Sequence, residues 1–148
     1  MEFLRSQNIL TLATVCEDGS SSATPLFYLL HGGLCLYWVS SSSSRHSRNL
    51  TSGREVEAGV HAATDRWKEI RGVQMRGLAQ VVTDSGEREE VLLSYAERFG
   101  LGRTLRMAMA ESTLYRLVPS WIRMMDNSRY FGYKYEFRPS SGGGSDGR

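Results

Sequence analysis

Short β-prone runs separated by glycine turns constrain this chain more than any other feature of its sequence. Asn8–Cys16 is rich in β-branched residues at near-alternating spacing, which suits a strand better than a helix. Glu17-Asp18-Gly19-Ser20 then reads as a hairpin turn, because Asp-Gly tolerates the positive φ of tight hairpins. A second run covers Ser22–Leu30, His31-Gly32-Gly33 makes another turn, and Leu34–Ser40 forms a third run. The spacing predicts three consecutive strands of an antiparallel meander. Glu55–Ala63 alternates Val56, Ala58, Val60 and Ala62 against Glu57, Gly59 and His61, the pattern of a half-buried strand. Glu69–Val82 predicts a long strand in which Gly72 and Gly77 mark a bend or a close backbone approach. Thr113–Val118 and Trp121–Met125 predict two more strands, split by Pro119.

Helices are few. Ser44 is the expected N-cap of about two turns over Arg45–Thr51, stopped by Gly53. Asp84 and Glu87 have capping-box spacing, and Val91, Tyr95 and Phe99 fall on one helical stripe behind them. Another helix is predicted over Arg103–Ala110. Many short strands with a few short helices predict an α+β protein built on a β-barrel or strongly curled sheet. The connections are too short for parallel crossovers, so the strands should be mostly antiparallel.

A chain of 148 residues suits a single domain, placed at 1–137, with a Gly/Ser-rich tail at 138–148 predicted to be disordered. No run approaches the ~18 apolar residues of a membrane helix, and Glu2, Arg5 and Asn8 interrupt any signal core. A cytoplasmic protein without a membrane partner is expected. Cys16 and Cys35 lie in no metal-ligand pattern, and the spacings of His31 and His61 from each other and from the cysteines suggest no metal site. The net charge of +2 does not describe a nucleic-acid coat, and the aromatics sit inside strands instead of alternating with basic residues. No Walker loop, GxSxG elbow or HExxH helix is present, and Gly100-Leu101-Gly102 lacks the third glycine of a dinucleotide turn.

The helix after Ser44 carries a local conflict. Before Ser44 the only basic residue is Arg5, yet Arg45, His46 and Arg48 crowd one short helical start, where a helix dipole disfavours cations by ~0.3–1 kcal/mol each. A bound anion, most naturally a phosphate, would offset that repulsion through arginine and serine contacts. The alternative is a solvated basic turn.

Placed directly after three strand runs, this helix gives the chain a wider likeness. Leu12-Ala-Thr-Val15 with Asp18-Gly19, then Ala23-Thr-Pro-Leu-Phe-Tyr28, Leu36-Tyr37 and Ser44-Arg-His-Ser-Arg-Asn-Leu50 occur in an order that resembles the FMN-binding split-barrel family typified by pyridoxamine 5'-phosphate oxidase. Ile70–Gly77 resembles the family strand that passes the flavin, and Asp126–Gly132 resembles the ending of a small bacterial subgroup of unassigned function. The resemblance implies a split β-barrel that binds FMN at the interface of a homodimer. It implies that Arg45 and His46 hold the flavin phosphate with Ser40 and Ser44 nearby, and that Thr24, Pro25 and Tyr28 line one side of the flavin. It further implies Trp38 at the ribityl chain or ring edge, Gln74 at the pyrimidine edge, and Trp67, Asn127 and Phe131 reaching in from the partner subunit. The basic C-terminal residues that hold a phosphorylated pyridoxine-type substrate in the oxidase proper have no match here.

Read without the resemblance, Tyr28 and Trp38 sit in hydrophobic strands where aromatics usually build core. Gln74 is either a cofactor contact or a structural hydrogen bond, and Asn127 suits a strand-ending turn. Trp67, in a polar loop, is better suited to capping a pocket or interface. The leading expectation is a flavin-dependent oxidoreductase acting on a small molecule, with no evident general acid. The alternatives are a split barrel holding a deazaflavin or haem, the latter needing His31, His46 or His61 as axial ligand, and a flavin-binding module without catalysis.

Overall fold

The computed structural model describes residues 1–139, so 140–148 of the tail predicted at 138–148 lie outside the described residues. In chain order the elements are α1 (Glu2–Ser6), β1 (Ile9–Val15), β2 (Ser21–Phe27), β3 (Leu29–His31), β4 (Cys35–Ser40) and α2 (Arg45–Leu50). They continue as β5 (Glu55–His61), a 3-10 turn at Trp67–Glu69, β6 (Arg71–Val81), α3 (Ser85–Arg98), α4 (Arg103–Glu111), β7 (Thr113–Asp126) and β8 (Lys134–Phe137). The one-turn helix α1, which buries Phe3 and Leu4, and the short strand β8 carry too little periodicity to be read from sequence.

The strands form one antiparallel sheet in the order β2-β1-β5-β6-β7-β4-β3, with β8 paired to the far end of β7. The expected three-strand meander is therefore corrected to two separate hairpins. The second run breaks at Tyr28, whose side chain is buried and whose hydroxyl donates to the Leu4 carbonyl at 2.6 Å. Anchoring this residue in the core turns the chain between β2 and β3, which then pair with different neighbours. Since β2 and β3 are the two outer strands of the sheet path and one residue joins them, the sheet has to curl until its edges meet. That is the expected α+β split barrel, mostly antiparallel with a few short helices.

Alternation does the rest. Leu10 and Leu12 of β1, Val56, Ala58 and Val60 of β5, and Val73 and Met75 of β6 face inward with Trp38, Leu117 and Ile122. A second apolar cluster, including Tyr37, Val91, Tyr95 and Leu114, fixes α3 and α4 against β4 and β7. Asp84 caps α3 by accepting from the Glu87 N–H at 2.8 Å. The Glu87 carboxylate does not complete the capping box; it accepts from the Tyr37 hydroxyl and the Arg116 guanidinium, both at 2.7 Å, and pins the helix to the sheet.

Pro119 does not split β7, as expected from sequence. The strand runs unbroken from Thr113 to Asp126, and the register against β6 shifts by one residue between Arg76 and Gly77. Ser120 is the extra residue, so the proline without an N–H falls at a bulge where a ladder bond is already interrupted. The close approach expected at Gly77 is present, because a Cβ there would lie 2.0 Å from the Val118 carbonyl oxygen.

The outer face of β2, β1, β5 and β6 carries no helix. It leaves Ile9 and Val15 about half exposed beside small residues at Ala13, Ala23 and Gly59, while Phe27 at its edge meets the Phe99 ring after α3 at 5.2 Å. Among the described residues no helix is long and apolar enough to cross a membrane.

Candidate cofactor site

Strand β4 ends at Ser40 and α2 begins after Ser44, so the serine tract is a tight corner with its hydroxyls gathered together. The Ser44 hydroxyl caps α2 by accepting from the Ser47 N–H at 3.4 Å. His46 turns inward from the same corner, with Nε2 2.7 Å from the Ser40 hydroxyl and 3.1 Å from that of Ser44. It is 7% exposed, and burial holds its pKa below the usual histidine value. A neutral ring then bridges two hydroxyls.

The helix itself corrects one expectation. At six residues α2 is too short to carry much dipole, and Ser44 already occupies its N-cap, so the axis of the helix is not the anion receptor. The basic side chains turn sideways instead. Arg45 and Arg48 line an open groove of about 1060 Å³ between α2 and the β1–β2 turn, with Ser20, Ser42, Asn49, Thr51, Ser52 and Arg54. Glu17 and Asp18 stand at its rim; Asp18 accepts from the Ser20 N–H at 2.9 Å and the Ser20 hydroxyl at 2.6 Å. Those bonds, with a smaller contribution from Arg45, keep its carboxyl below the ordinary range.

From this groove a strip of small side chains runs up the outer face. Val15 belongs to the groove lining, and Ala13 and Thr11 follow it on the same side of β1, about 13 Å over four residues. At Thr11 the strip meets a cross-strand row formed by Pro25, Thr11, Gly59, Gln74 and Arg123. The row is open at Gly59, where nothing lies within 4 Å of an added Cβ. Gln74 Oε1 accepts from the Arg123 guanidinium at 3.4 Å, and Arg123 also donates to Glu136 at 2.6 Å.

The residues singled out from sequence therefore separate into groups. Arg45 lines the groove, while Ser40, Ser44 and His46 form the corner behind it. Pro25 and Gln74 share the outer row, but Thr24 projects to the opposite side of β2, level with Leu12. Trp67, Asn127 and Phe131 come together: the Asn127 amide donates to the Trp67 carbonyl at 3.0 Å, and the Phe131 ring meets Trp67 edge-on at 5.7 Å. Both rings stay exposed, at 54% and 77%, forming an aromatic knob of two loops.

Tyr28 and Trp38 are core residues instead of cofactor walls. Trp38 is fully enclosed and stacks on Tyr115 at 5.8 Å, and burial raises the Tyr28 phenol to about 12. Sequence reading missed Thr11, Gly59, Arg54 and Arg123 as site residues. Register places the first two and Arg123, while the spacing of Arg45 and Arg48 along one helix face was the available sign of the groove.

His46 makes this corner pH-sensitive. Its folded pKa lies below the unfolded value, so the unfolded chain binds the extra proton and stability falls as pH drops through and below that unfolded value. The drop in melting temperature between pH 7.5 and 5.5 is expected to shrink in His46→Gln, measured by circular dichroism. An equal drop in both proteins would remove His46 from the acid sensitivity.

A curled antiparallel sheet whose edges meet, with short helices beside it, is a split-barrel α+β fold. The sequence pattern of the pyridoxamine 5'-phosphate oxidase family matches residues 1–126, and the chain belongs to that family. It is similar in structure to the conserved hypothetical protein Rv2991 from Mycobacterium tuberculosis, with TM-score 0.77, 23% identity, and 99% of this chain and 91% of that one covered. HutZ, described as the heme storage protein from Vibrio cholerae, matches with TM-score 0.67 and 22% identity over 80% of this chain and 85% of HutZ. The FAD binding protein from Mycobacterium smegmatis matches with TM-score 0.60 and 18% identity over 94% and 93% of the two chains. The fold family thus includes flavin-binding and haem-binding members.

Proposed function

We propose that the chain binds FMN and works as a flavin-dependent oxidoreductase on a small molecule. The observation that carries this reading is the continuity of the arginine-lined groove with the flat strip on β1, which ends at Gln74. Arg45 holds the phosphate, Ala13 and Thr11 leave room for the ribityl chain, and the ring lies over Gly59 with an edge at Gln74. His46 acts indirectly, by fixing Ser40 and Ser44. A bound flavin supplies hydride or electron transfer; the residues of the chain bind it and orient it.

The uncovered outer face supports a homodimer around the cofactor. Half-exposed Ile9 and Val15 suit burial against a second copy, and the exposed rings of Trp67 and Phe131, joined through Asn127, would pack on that copy. Purified protein is expected to show flavin absorption bands in stoichiometric amount, or to acquire them on adding FMN, and to sediment at about twice 16.6 kDa. A colourless protein that ignores FMN would refute the cofactor, and a monomer that binds flavin would refute the interface alone.

Haem is the second reading, supported by the likeness to HutZ. Of the three histidines, His31 pairs with Glu90 at 3.0 Å and His46 is spent on the serines. His61 is exposed on β5, which leaves it as the axial candidate. A Soret band lost in His61→Ala would select haem over flavin.

A further inference from the structure

We infer that the groove beyond Arg45 takes a second phosphoryl group, so that a pyrophosphate-bearing nucleotide binds this chain more tightly than a mononucleotide does. The inference rests on the flavin reading above, in which Arg45 holds the first phosphate. Arg88, Arg98 and Arg106 donate to backbone carbonyls, and Arg66, Arg71, Arg76, Arg116 and Arg123 each reach a carboxylate within 3.4 Å. Arg45, Arg48 and Arg54 form no carboxylate pair among the described residues, yet they line one concavity together. Arg45 and Arg48 lie one turn apart on the same helix face, where like charges repel.

One terminal phosphate needs one guanidinium and a few hydroxyls, and the groove holds far more. Past Arg45 it continues between Arg48, Asn49, Thr51, Ser52 and Arg54. The Thr51 and Ser52 hydroxyls donate to the Arg48 and Asn49 carbonyls and the Asn49 amide to Thr14, so the guanidinium groups of Arg48 and Arg54 are the donors suited to bidentate contact with phosphate oxygens. Arg48 is held in place through a hydrogen bond to the Ser43 carbonyl, and Gly53, at φ +67, turns the chain that presents Arg54. The carboxylates of Glu17 and Asp18 at the rim oppose this wall, and its three guanidinium groups outnumber them. The second phosphoryl group comes either from the adenylate half of a flavin dinucleotide or from a separate nucleotide bound beside FMN.

Titrations of the full chain with FMN and with FAD, followed by flavin fluorescence, separate these cases. FAD is expected to bind at least tenfold more tightly than FMN, and Arg54→Ala to bring the two within about threefold; Arg48→Ala repeats the test at a second position. If ADP instead binds to FMN-loaded protein without displacing the flavin, and Arg54→Ala weakens it, the second group belongs to a separate nucleotide. FAD no tighter than FMN, together with no ADP binding, overturns the inference. ADP binding that depends on Arg54 in a protein taking neither flavin leaves the pyrophosphate site standing and removes the flavin reading.

Discussion

Arg45→Ala is expected to weaken FMN binding roughly ten- to a hundredfold while leaving the fold unchanged. A hydrogen bond to a charged partner contributes ~1.5–3 kcal/mol, and each 1.4 kcal/mol is a factor of ten. The side chain is exposed at the groove, so its removal leaves no cavity and strands no buried partner. Arg45→Lys should fall between the two proteins, because the charge survives and the two-pronged geometry does not. Flavin fluorescence titration reads the affinity, and thermal unfolding reads the fold. Equal affinity in wild type and Arg45→Ala, with equal melting temperatures, would end the phosphate assignment and with it the proposed path of the flavin along β1.

Much of this site was legible because strands and caps are local. Asp18-Gly19 turns where a hairpin must, and Ser44 caps the helix where its spacing placed it. The sheet order was not legible. The hydrophobic run around Tyr28 suits a core aromatic, but nothing in it says that this one burial separates two hairpins and sends them to opposite edges. The same gap explains the site residues that sequence missed. Thr11, Gly59 and Arg123 become neighbours of Pro25 and Gln74 only through register, a product of long-range pairing. Thr24 and Pro25, adjacent in sequence, separate for the opposite reason, since successive residues of a strand face opposite sides.

His46 shows how neighbours on one short helix take different contacts. Its place beside Arg45 suggested a shared anion, but the first residues of a helix point in different directions, about 100° apart. Arg45 goes to the groove and His46 goes inward, where two serine hydroxyls satisfy it. The charge conflict read from the sequence is thus relieved partly by burial, which keeps the imidazole neutral, and partly by turning the arginines outward.

Gly77→Ala is expected to cost about 3 kcal/mol or more, the largest stability loss among the substitutions considered. Gly77 does not sit at positive φ, so the cost is steric. Its Cβ would lie 2.0 Å from the Val118 carbonyl oxygen and 2.8 Å from the Pro119 Cα, both backbone atoms of β7. Overpacking a flexible side chain costs ~1–3 kcal/mol, and here two paired strands must part instead. At ~2–4 °C per kcal/mol the melting temperature should fall by about 10 °C, measured by calorimetry. Gly59→Ala is the control, since nothing lies within 4 Å of its added methyl and the change in stability should stay under about 1 kcal/mol. The register shift beside Gly77 also sets which β6 residue stands against Arg123, so Gly77→Ala should disturb the pairing of Gln74 and weaken flavin binding. A Gly77→Ala protein melting within about 1 °C of wild type would show that β6 and β7 tolerate a wider spacing, and the bulge would lose its role in placing Gln74.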